Sequence, residues 1–473
     1  MGATGPHWQN VAPSRVRFGV LGFAGSLSLV TYLDRVCIMR AKRDIQTDLG
    51  FDDPEMGLVF SAFLLGYALF EVPAGWMGDI WGPRRVLTRI VLCWSFFTAL
   101  TGCIWRFRVD TGLELGSFSV ALVLDSLLAM LLVRFLFGLG EAGAYPNLTR
   151  VVGTWFPFRE RARALGTIWM SARLGGAIAP FVLGRLSVAF GWRQAFWILG
   201  LCGVAWCCVF RWWFRDTPQE KATCNAAERA LIGAGSGGSV AHGTHAGHAW
   251  PPWRALVFSL SVWGLCLASC GVSFAWYFFP TWQAEYLDKV HSISYDDSEI
   301  MTGLPFLFGA VGCLLGGSLS DWMIRRTGSR RWGRSLIGCA GFTGAGLCVL
   351  ATGFVTAAWQ AVGLLCLAFL INDLAIPVIW SACADIGGRF AGTVSGIMNM
   401  AGGIGAVVSP MLIPRALEAL PADYAASARW RIIFAGLAVA WFVAAAAWLI
   451  IDSSRRLFTV TPSPGRRATE ERT

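Results

Sequence analysis

Apolar runs of about 20 residues, parted by short polar stretches, recur along the whole chain. A helix rises 1.5 Å per residue, so about 20 residues cross the ~30 Å hydrocarbon layer of a bilayer, and runs this long read as membrane helices. The pattern predicts spans at about residues 16–39, 57–77, 86–105, 119–146, 164–189 and 194–214, then at about 253–282, 301–324, 336–356, 359–384, 393–413 and 430–451. Between the two sets, residues 215–252 are polar and then rich in glycine, serine and histidine, as a flexible linker would be. The expectation is an all-α membrane protein of twelve transmembrane helices in two halves: a six-helix bundle over residues 1–214, a linker at 215–252, a second bundle over 253–452 and a tail at 453–473.

The fourth run carries two charges, Arg134 and Glu141. Seven residues apart on a helix, they fall about 20° from eclipse and about 10 Å apart along the axis, so both face one way. An arginine at mid-bilayer costs at least ~2.5 kcal/mol, so that face is turned to protein or to a watered cavity and not to lipid. A structural ion pair tying helices together and a ligand-binding cavity both fit. Asp34 and Arg35 in the first run pose the same choice: neighbours in sequence point about 100° apart, so they brace adjoining helices or line that cavity. Arg173 stands about ten residues into the fifth run, hence ~15 Å deep. A third midplane arginine fits either a substrate with more than one negative charge or an internal partner such as Asp373 in the tenth run.

Composition agrees with the pattern. Hydrophobic residues make up 55% of the 473 and charged ones 14%, which excludes an ordinary soluble globule. The net charge of +10 would suggest nucleic acid in a soluble protein, but the excess arginine sits in short loops, as at Arg84, Arg85, Arg159, Arg161, Arg325 and Arg326. That is the positive-inside pattern, so both termini are expected in the cytoplasm, with no nucleic-acid partner. The first run is too long for the core of a cleaved signal peptide and is expected to be retained. The 14 cysteines fall mostly within apolar runs and read as small core residues, neither disulfides nor zinc ligands. Several tryptophans, such as Trp76, Trp81, Trp192 and Trp322, fall at predicted span ends, as in interfacial belts.

The halves echo each other. Gly75-x-x-x-Asp79 with Arg84-Arg85 after the second run is matched by Gly317-x-x-x-Asp321 with Arg325-Arg326 after the eighth; Leu174-Gly-Gly-Ala-Ile-Ala-Pro180 in the fifth is matched by Gly402 to Pro410 in the eleventh. Parallel six-span repeats with a substrate bound between them near the midplane are a transporter architecture.

These residues resemble the major facilitator superfamily, whose loop signature follows spans 2 and 8. Within it the chain is similar to the anion:cation symporter family. The matching pieces are Tyr32-Leu-Asp-Arg-Val-Cys-Ile38, Gly82 to Ile90, Arg134-Phe-Leu-Phe-Gly-Leu-Gly-Glu-Ala-Gly-Ala-Tyr-Pro146 and Gly392 to Asn399. The resemblance implies a major facilitator fold and inner-membrane uptake of organic anions with protons, typically sugar acids such as galactonate, glucarate or hexuronates. It implies that Asp34 and Glu141 carry protons, that Arg35 and Arg134 are their partners, and that Asn399 is a substrate-contacting amide. Arg173 and Tyr32 join Arg35, Arg134 and Asn399 as candidate substrate contacts, and Asp79, Arg84, Arg85, Asp321 and Arg325 as gating residues. A carboxylate that holds an arginine frees that cation for an anionic substrate when it is protonated, which links the two affinities. Two positions depart from the family: Arg173 stands where relatives often have an amide, and Ile80 where the loop signature has a basic residue. Asp79 is still expected to brace the positive N-terminus of span 11 near Gly392, in a weaker latch.

Other signals carry less. Gly138-Leu-Gly140-Glu-Ala-Gly143 spells a dinucleotide fingerprint but lies inside an apolar helix with no strand before it, so its glycines serve helix contact. His242, His245 and His248 are spaced by three in the linker and read as a solvated loop before a metal site. Asn147-Leu-Thr149 is a glycosylation sequon on the predicted cytoplasmic side and is expected to be silent; Asp125 is expected to snorkel or brace at the outer end of span 4. Tyr32, Trp276, Tyr277 and Trp282 either shape the pocket or pack. No metal, cofactor or enzyme motif is present in the sequence. The reading is a monomeric proton-coupled symporter in the lipid bilayer for a small organic anion, with a sugar-phosphate or phosphate antiporter, or a non-transporting anion receptor, as alternatives.

Overall fold

The computed structural model describes residues 12–115, 118–235, 251, 253–293, 299–421 and 423–457; His242, His245, His248 and the end of the predicted tail lie outside the described residues. The first half holds α1 (Val16–Arg40), a short α2 (Lys42–Leu49), α3 (Asp53–Trp81), α4 (Pro83–Thr101), strands β1 (Arg108–Leu115) and β2 (Phe118–Asp125), α5 (Ser126–Glu141), α6 (Ala144–Trp155), α7 (Arg161–Phe190) and α8 (Trp192–Trp213). After α9 (Ala226–Gly235) and α10 (Trp253–Val257), the second half holds α11 (Leu260–Trp276), α12 (Phe278–His291), α13 (Glu299–Thr327), α14 (Arg330–Thr352), α15 (Ala358–Gly387), α16 (Ala391–Ala419) and α17 (Ala426–Ala447).

Among the described residues, ten stretches are long and apolar enough to cross a membrane. One of them, Ala358–Ala419, contains both α15 and α16, while α4 falls outside the ten because arginines crowd its first turns, so twelve spans result. α5 with α6 makes the fourth span and α11 with α12 the seventh. With an even number of spans, α1 begins and α17 ends on one face, called here the termini face.

The fourth span corrects the sequence reading. Its predicted helix from residue 119 is instead an antiparallel hairpin, with Arg108 paired to Asp125 and Leu115 to Phe118, followed by a helix that starts only at Ser126. The first strand, Arg108-Val-Asp-Thr-Gly-Leu-Glu-Leu115, alternates as a strand does, whereas 120–124 is an unbroken apolar run that pattern alone does not separate from helix. Asp125 neither snorkels nor braces another helix: its Oδ1 accepts from Leu128 N at 2.8 Å and caps α5. The span breaks again just after Glu141, where Gly143 takes φ +83° at the start of α6, a conformation that glycine adopts without strain. The polar stretch between the first two spans contains a short helix, α2, ended by Gly50 at φ +80°.

Two glycines seat the halves on each other at the termini face. A Cβ at Gly75 of α3 would collide with the Gly392 carbonyl oxygen of α16, and one at Gly317 of α13 with the Ala162 carbonyl oxygen of α7. α3 therefore packs on α16, and α13 on α7, at backbone distance. The sequon residue Asn147 is fully buried and donates its side-chain amide to Ala74 O at 3.1 Å and Gly143 O at 2.8 Å, a brace between α6 and α3.

Candidate functional site

A cavity of about 140 Å³ lies between the halves near mid-depth. Water-sized voids need ~10–15 Å³ by this measure, so the space suits roughly nine to fourteen such groups, the size of a short organic molecule. Arg35 of α1 and Arg173 of α7 face it from the first half, Asn399 of α16 and Tyr277 from the second.

Arg35 is held by the last residue of α5. Its Nε and Nη2 both donate to Glu141 Oε1, at 3.0 and 2.5 Å. Aromatic rings cradle the guanidinium: Tyr67, Phe63 and Tyr32 have centroids 4.6, 5.3 and 5.4 Å from its central carbon. Desolvating a cation against ring faces recovers part of its lost hydration. Glu141 is 1% exposed, and its second oxygen, Oε2, is buried with no hydrogen-bond partner. The neighbour Asp34 points away from the cavity, 2% exposed, with both oxygens unpartnered. The charges nearest it are Arg134 and Glu141. Arg134 is also 2% exposed, stacked 4.5 Å from the Phe137 ring, with its Nε unpartnered. The two acids and two arginines picked out in the sequence thus form one buried cluster. The hydrogen-bonded ion pair within it runs from Arg35 to Glu141, a pairing the sequence left open between the two arginines. Carboxyl oxygens shut away from water without a donor are costly, and a proton, or a hydroxyl brought by a ligand, removes that cost.

Of the two readings of Arg173, the structure contains the internal partner. Its Nε donates to Asp373 Oδ2 at 2.8 Å and its Nη2 to Asp373 Oδ1 at 3.1 Å, a bidentate pair that joins the halves. Asn399 lines the cavity and donates to the Tyr67 hydroxyl at 3.2 Å. Tyr32, Trp276 and Tyr277 line it too; Trp282 does not. On the termini side the cavity is floored by a stack that crosses the halves: Tyr145 lies on Trp169 with centroids 4.4 Å apart, and Trp380 lies 5.4 Å from Trp169.

Beyond that floor, the termini face is closed by two matching clasps. Asp79 at the end of α3 accepts from Gly392 N at 3.1 Å and Thr393 N at 2.6 Å, capping α16 of the other half. Asp321 of α13 accepts from Ala162 N at 3.3 Å and Arg163 N at 2.7 Å, capping α7. Each carboxylate meets the positive end of its helix. The cations beside these acids are Arg150, 2.9 Å from Asp79, and Arg334, 3.3 Å from Asp321. Arg84, Arg85 and Arg325 are not brought to them: Arg84 donates its backbone N–H to Asp216 and a guanidinium nitrogen to Arg211 O, while Arg85 and Arg325 are exposed. Arg161 of α7 adds a pair across the halves to Asp385 at 2.7 Å.

Sequence reasoning missed several of these groups. Arg150, Arg334 and Asp385 carry no motif, and their pairing exists only in three dimensions. Glu71 is different. It is a fully buried acid within span 2, both oxygens without a hydrogen-bond partner, near Tyr67, Asn399 and the Gly143 N–H. The rule that singled out Glu141, an acid inside an apolar run, also finds Glu71.

Comparison with known proteins agrees on the family. The model for the Major Facilitator Superfamily matches residues 24–410. A Cupriavidus necator protein described as a probable sulfoacetate transporter is 33% identical over 404 residues, 85% of this chain and 88% of that protein. A probable galactarate/D-glucarate transporter of Bacillus subtilis is 28% identical over 405 residues, 84% of this chain and 85% of that one. Among solved structures, the proton:xylose symporter XylE superposes with a TM-score of 0.66 at 14% identity, over 93% of this chain and 95% of its own, which is a likeness of fold.

Proposed function

The chain belongs to the Major Facilitator Superfamily, a family of multi-pass membrane transporters and not of enzymes, and from that premise we propose that it is a proton-coupled symporter of a small organic anion. The observation that carries this reading is the buried Arg35–Glu141 pair on the cavity wall. While Glu141 is ionised it occupies the guanidinium. A proton on Glu141 removes its claim on Arg35, and the carboxylate of a substrate takes its place. Proton and anion therefore favour each other's binding, and by linkage the favour is mutual. Asp34 behind the pair, with Arg134 nearby as its cation, is a second acid through which the proton moves, and Asn399 with Tyr32 orients the substrate's hydroxyls. The clasps at Asp79 and Asp321, with the aromatic floor, are the parts that open when the halves rock to release both ligands on the termini side.

The substrate class proposed is a sugar acid such as galactonate, glucarate or a hexuronate, which the named relatives and the size of the cavity support. The arginine-rich loops support an inner-membrane location with the termini face in the cytoplasm. An Arg173 facing the cavity without an acid partner would favour the phosphate antiporter. Asp373 supplies one, and the symport reading gains by it.

The deciding experiment is uptake into proteoliposomes under an inward proton gradient, with galactonate, glucarate, glucuronate and glucose 6-phosphate offered in turn. Accumulation of a carboxylate that collapses with the gradient is expected. Glu141→Gln is expected to lose that accumulation while retaining counterflow; unchanged accumulation in this variant refutes the proton role. Gradient-insensitive counterflow of the phosphate ester alone selects the antiporter, and binding without flux the receptor.

A further inference from the structure

The Arg173–Asp373 pair repeats the logic of Arg35–Glu141 on the other wall of the cavity. Spans 4 and 10 are equivalent under the six-span repeat. Glu141 stands 15 residues after Ser126, the first residue of α5, and Asp373 stands 15 residues after Ala358, the first residue of α15. The two acids thus occupy the same register in repeat-related helices. Both arginines give Nε and Nη2 to their acid, and both line the cavity. Both lie against aromatic faces, Arg173 with Trp276 at 5.0 Å and Phe369 at 5.2 Å, and Tyr32 stands beside each of them.

Room has been made for the carboxyl of Asp373. α13 passes it with Gly309 and Gly312, where an added Cβ would lie 2.5 Å from Asp373 Oδ2 and 3.1 Å from its Cβ. The charged and titratable groups around Asp373 are Arg173 from α7 and Cys313 of α13, whose thiol is 3.6 Å from Oδ2, with Tyr32 of α1 beyond Arg173. Asn372 on its own helix donates to Oδ1 at 2.9 Å. A buried ion pair is a poor way to gain stability, since apolar residues of the same volume serve as well. One whose cation also lines a ligand cavity is better suited to binding.

We propose that Arg173 and Asp373 form a second acid–arginine switch, so that the cavity takes a short dianion, one anionic group on Arg35 and the other on Arg173. This deepens, and rests on, the symport reading. The exchange involves no covalent change: Asp373 takes up a proton and becomes a neutral acid, Arg173 stays a guanidinium, and the second anionic group replaces Asp373 as its partner. Since Arg173 and Asp373 belong to different halves, the same event removes a tie between them, whereas Arg35–Glu141 lies within one half. A dicarboxylate or a sulfonate-carboxylate of a few carbons has this chemistry.

The test compares two six-carbon sugar acids, galactonate with one carboxylate and glucarate with two, on the full-length protein in nanodiscs. The expected result is that the affinity for glucarate rises more steeply on acidification than that for galactonate, by one further proton in the slope of log Kd against pH. Asp373→Asn, fixed in the neutral form, is expected to lose that extra proton from the glucarate slope. Equal slopes for the two acids in the wild type, or an unchanged glucarate slope in Asp373→Asn, overturn the proposal. If Asp373→Asn does not yield folded protein, Arg173→Gln decides: glucarate affinity is expected to fall about tenfold more than galactonate affinity, and equal losses refute the switch. Gradient-driven uptake of galactonate with no steeper glucarate slope sinks this proposal alone. Absence of gradient-driven uptake of either acid sinks the symport reading and this proposal with it.

Discussion

Replacing Gly392 by alanine tests whether the clasp around Asp79 controls opening of the termini face. A Cβ at this position would lie 2.5 Å from Gly75 O and 2.9 Å from Asp79 Oδ1, against about 3.4 Å for ordinary contact. Both neighbours belong to α3, and one is backbone, so α3 and α16 must part by about 0.9 Å, with the first distance the more demanding. Overpacking of this kind costs roughly 1–3 kcal/mol. That cost falls on the closed arrangement alone, because the methyl is free once the helices separate. The gain in helix propensity from glycine to alanine acts on both arrangements and cancels. At about 1.4 kcal/mol per decade, the open population rises roughly 5- to 150-fold. Hydrogen exchange read by mass spectrometry reports this directly, since the Gly392 and Thr393 amides are bonded to Asp79 only while the face is closed. The alanine variant is expected to lose protection across residues 388–398 by that factor. Gly363→Ala, where an added Cβ meets nothing within 4 Å, is the control and is expected to change nothing there. Protection within about twofold of the wild type in Gly392→Ala refutes the gating role assigned to the contact.

Two further outcomes are expected. Arg334 is fully buried and donates to Asp385 at 3.1 Å, to Asp321 at 3.3 Å and, across the halves, to Phe158 O at 3.2 Å; Arg334→Met leaves two buried acids without this cation and is expected to cost about 3–5 kcal/mol, read as a fall in the thermal midpoint by tryptophan fluorescence. At the outer end of the first half, Asp48 accepts hydrogen bonds from Arg193 and, at 3.0 Å, from Trp192, which hold its carboxyl below the usual carboxylate range. A depressed folded value means stability that is full above the unfolded value of about 4 and lost as pH falls through the folded value. Asp48→Asn is therefore expected to lower the midpoint at neutral pH, with the difference from wild type closing below about pH 4; a difference that persists there contradicts the assignment.

Much of this could be read before the coordinates, and the failures have physical causes. Length and apolarity located the spans, since only a helix satisfies its own backbone in lipid, and the glycine–aspartate repeat located the clasps because it recurs after spans 2 and 8. The second strand was read, from residue 119, as the start of a helix because the unbroken apolar run 120–124 leads straight into span 4; the twofold alternation is legible only in 108–115. Choice of partner was beyond reach. Arg134 and Glu141 share a face of span 4, yet the break at Gly143 and the approach of α1 give Glu141 to Arg35. Arg150 and Arg334, beside the signature acids, come from helices that no local pattern connects to those loops.

The clasps have one more consequence. Asp79 satisfies the first amides of a helix in the opposite half, and Asp321 does the same in return. In the opening proposed above, both helix ends and both carboxylates lose these partners together and must be hydrated instead. Opening is therefore a reaction that consumes water, and its equilibrium depends on water activity. Osmolytes excluded from protein surface should hold the termini face shut, and dilute media should release it.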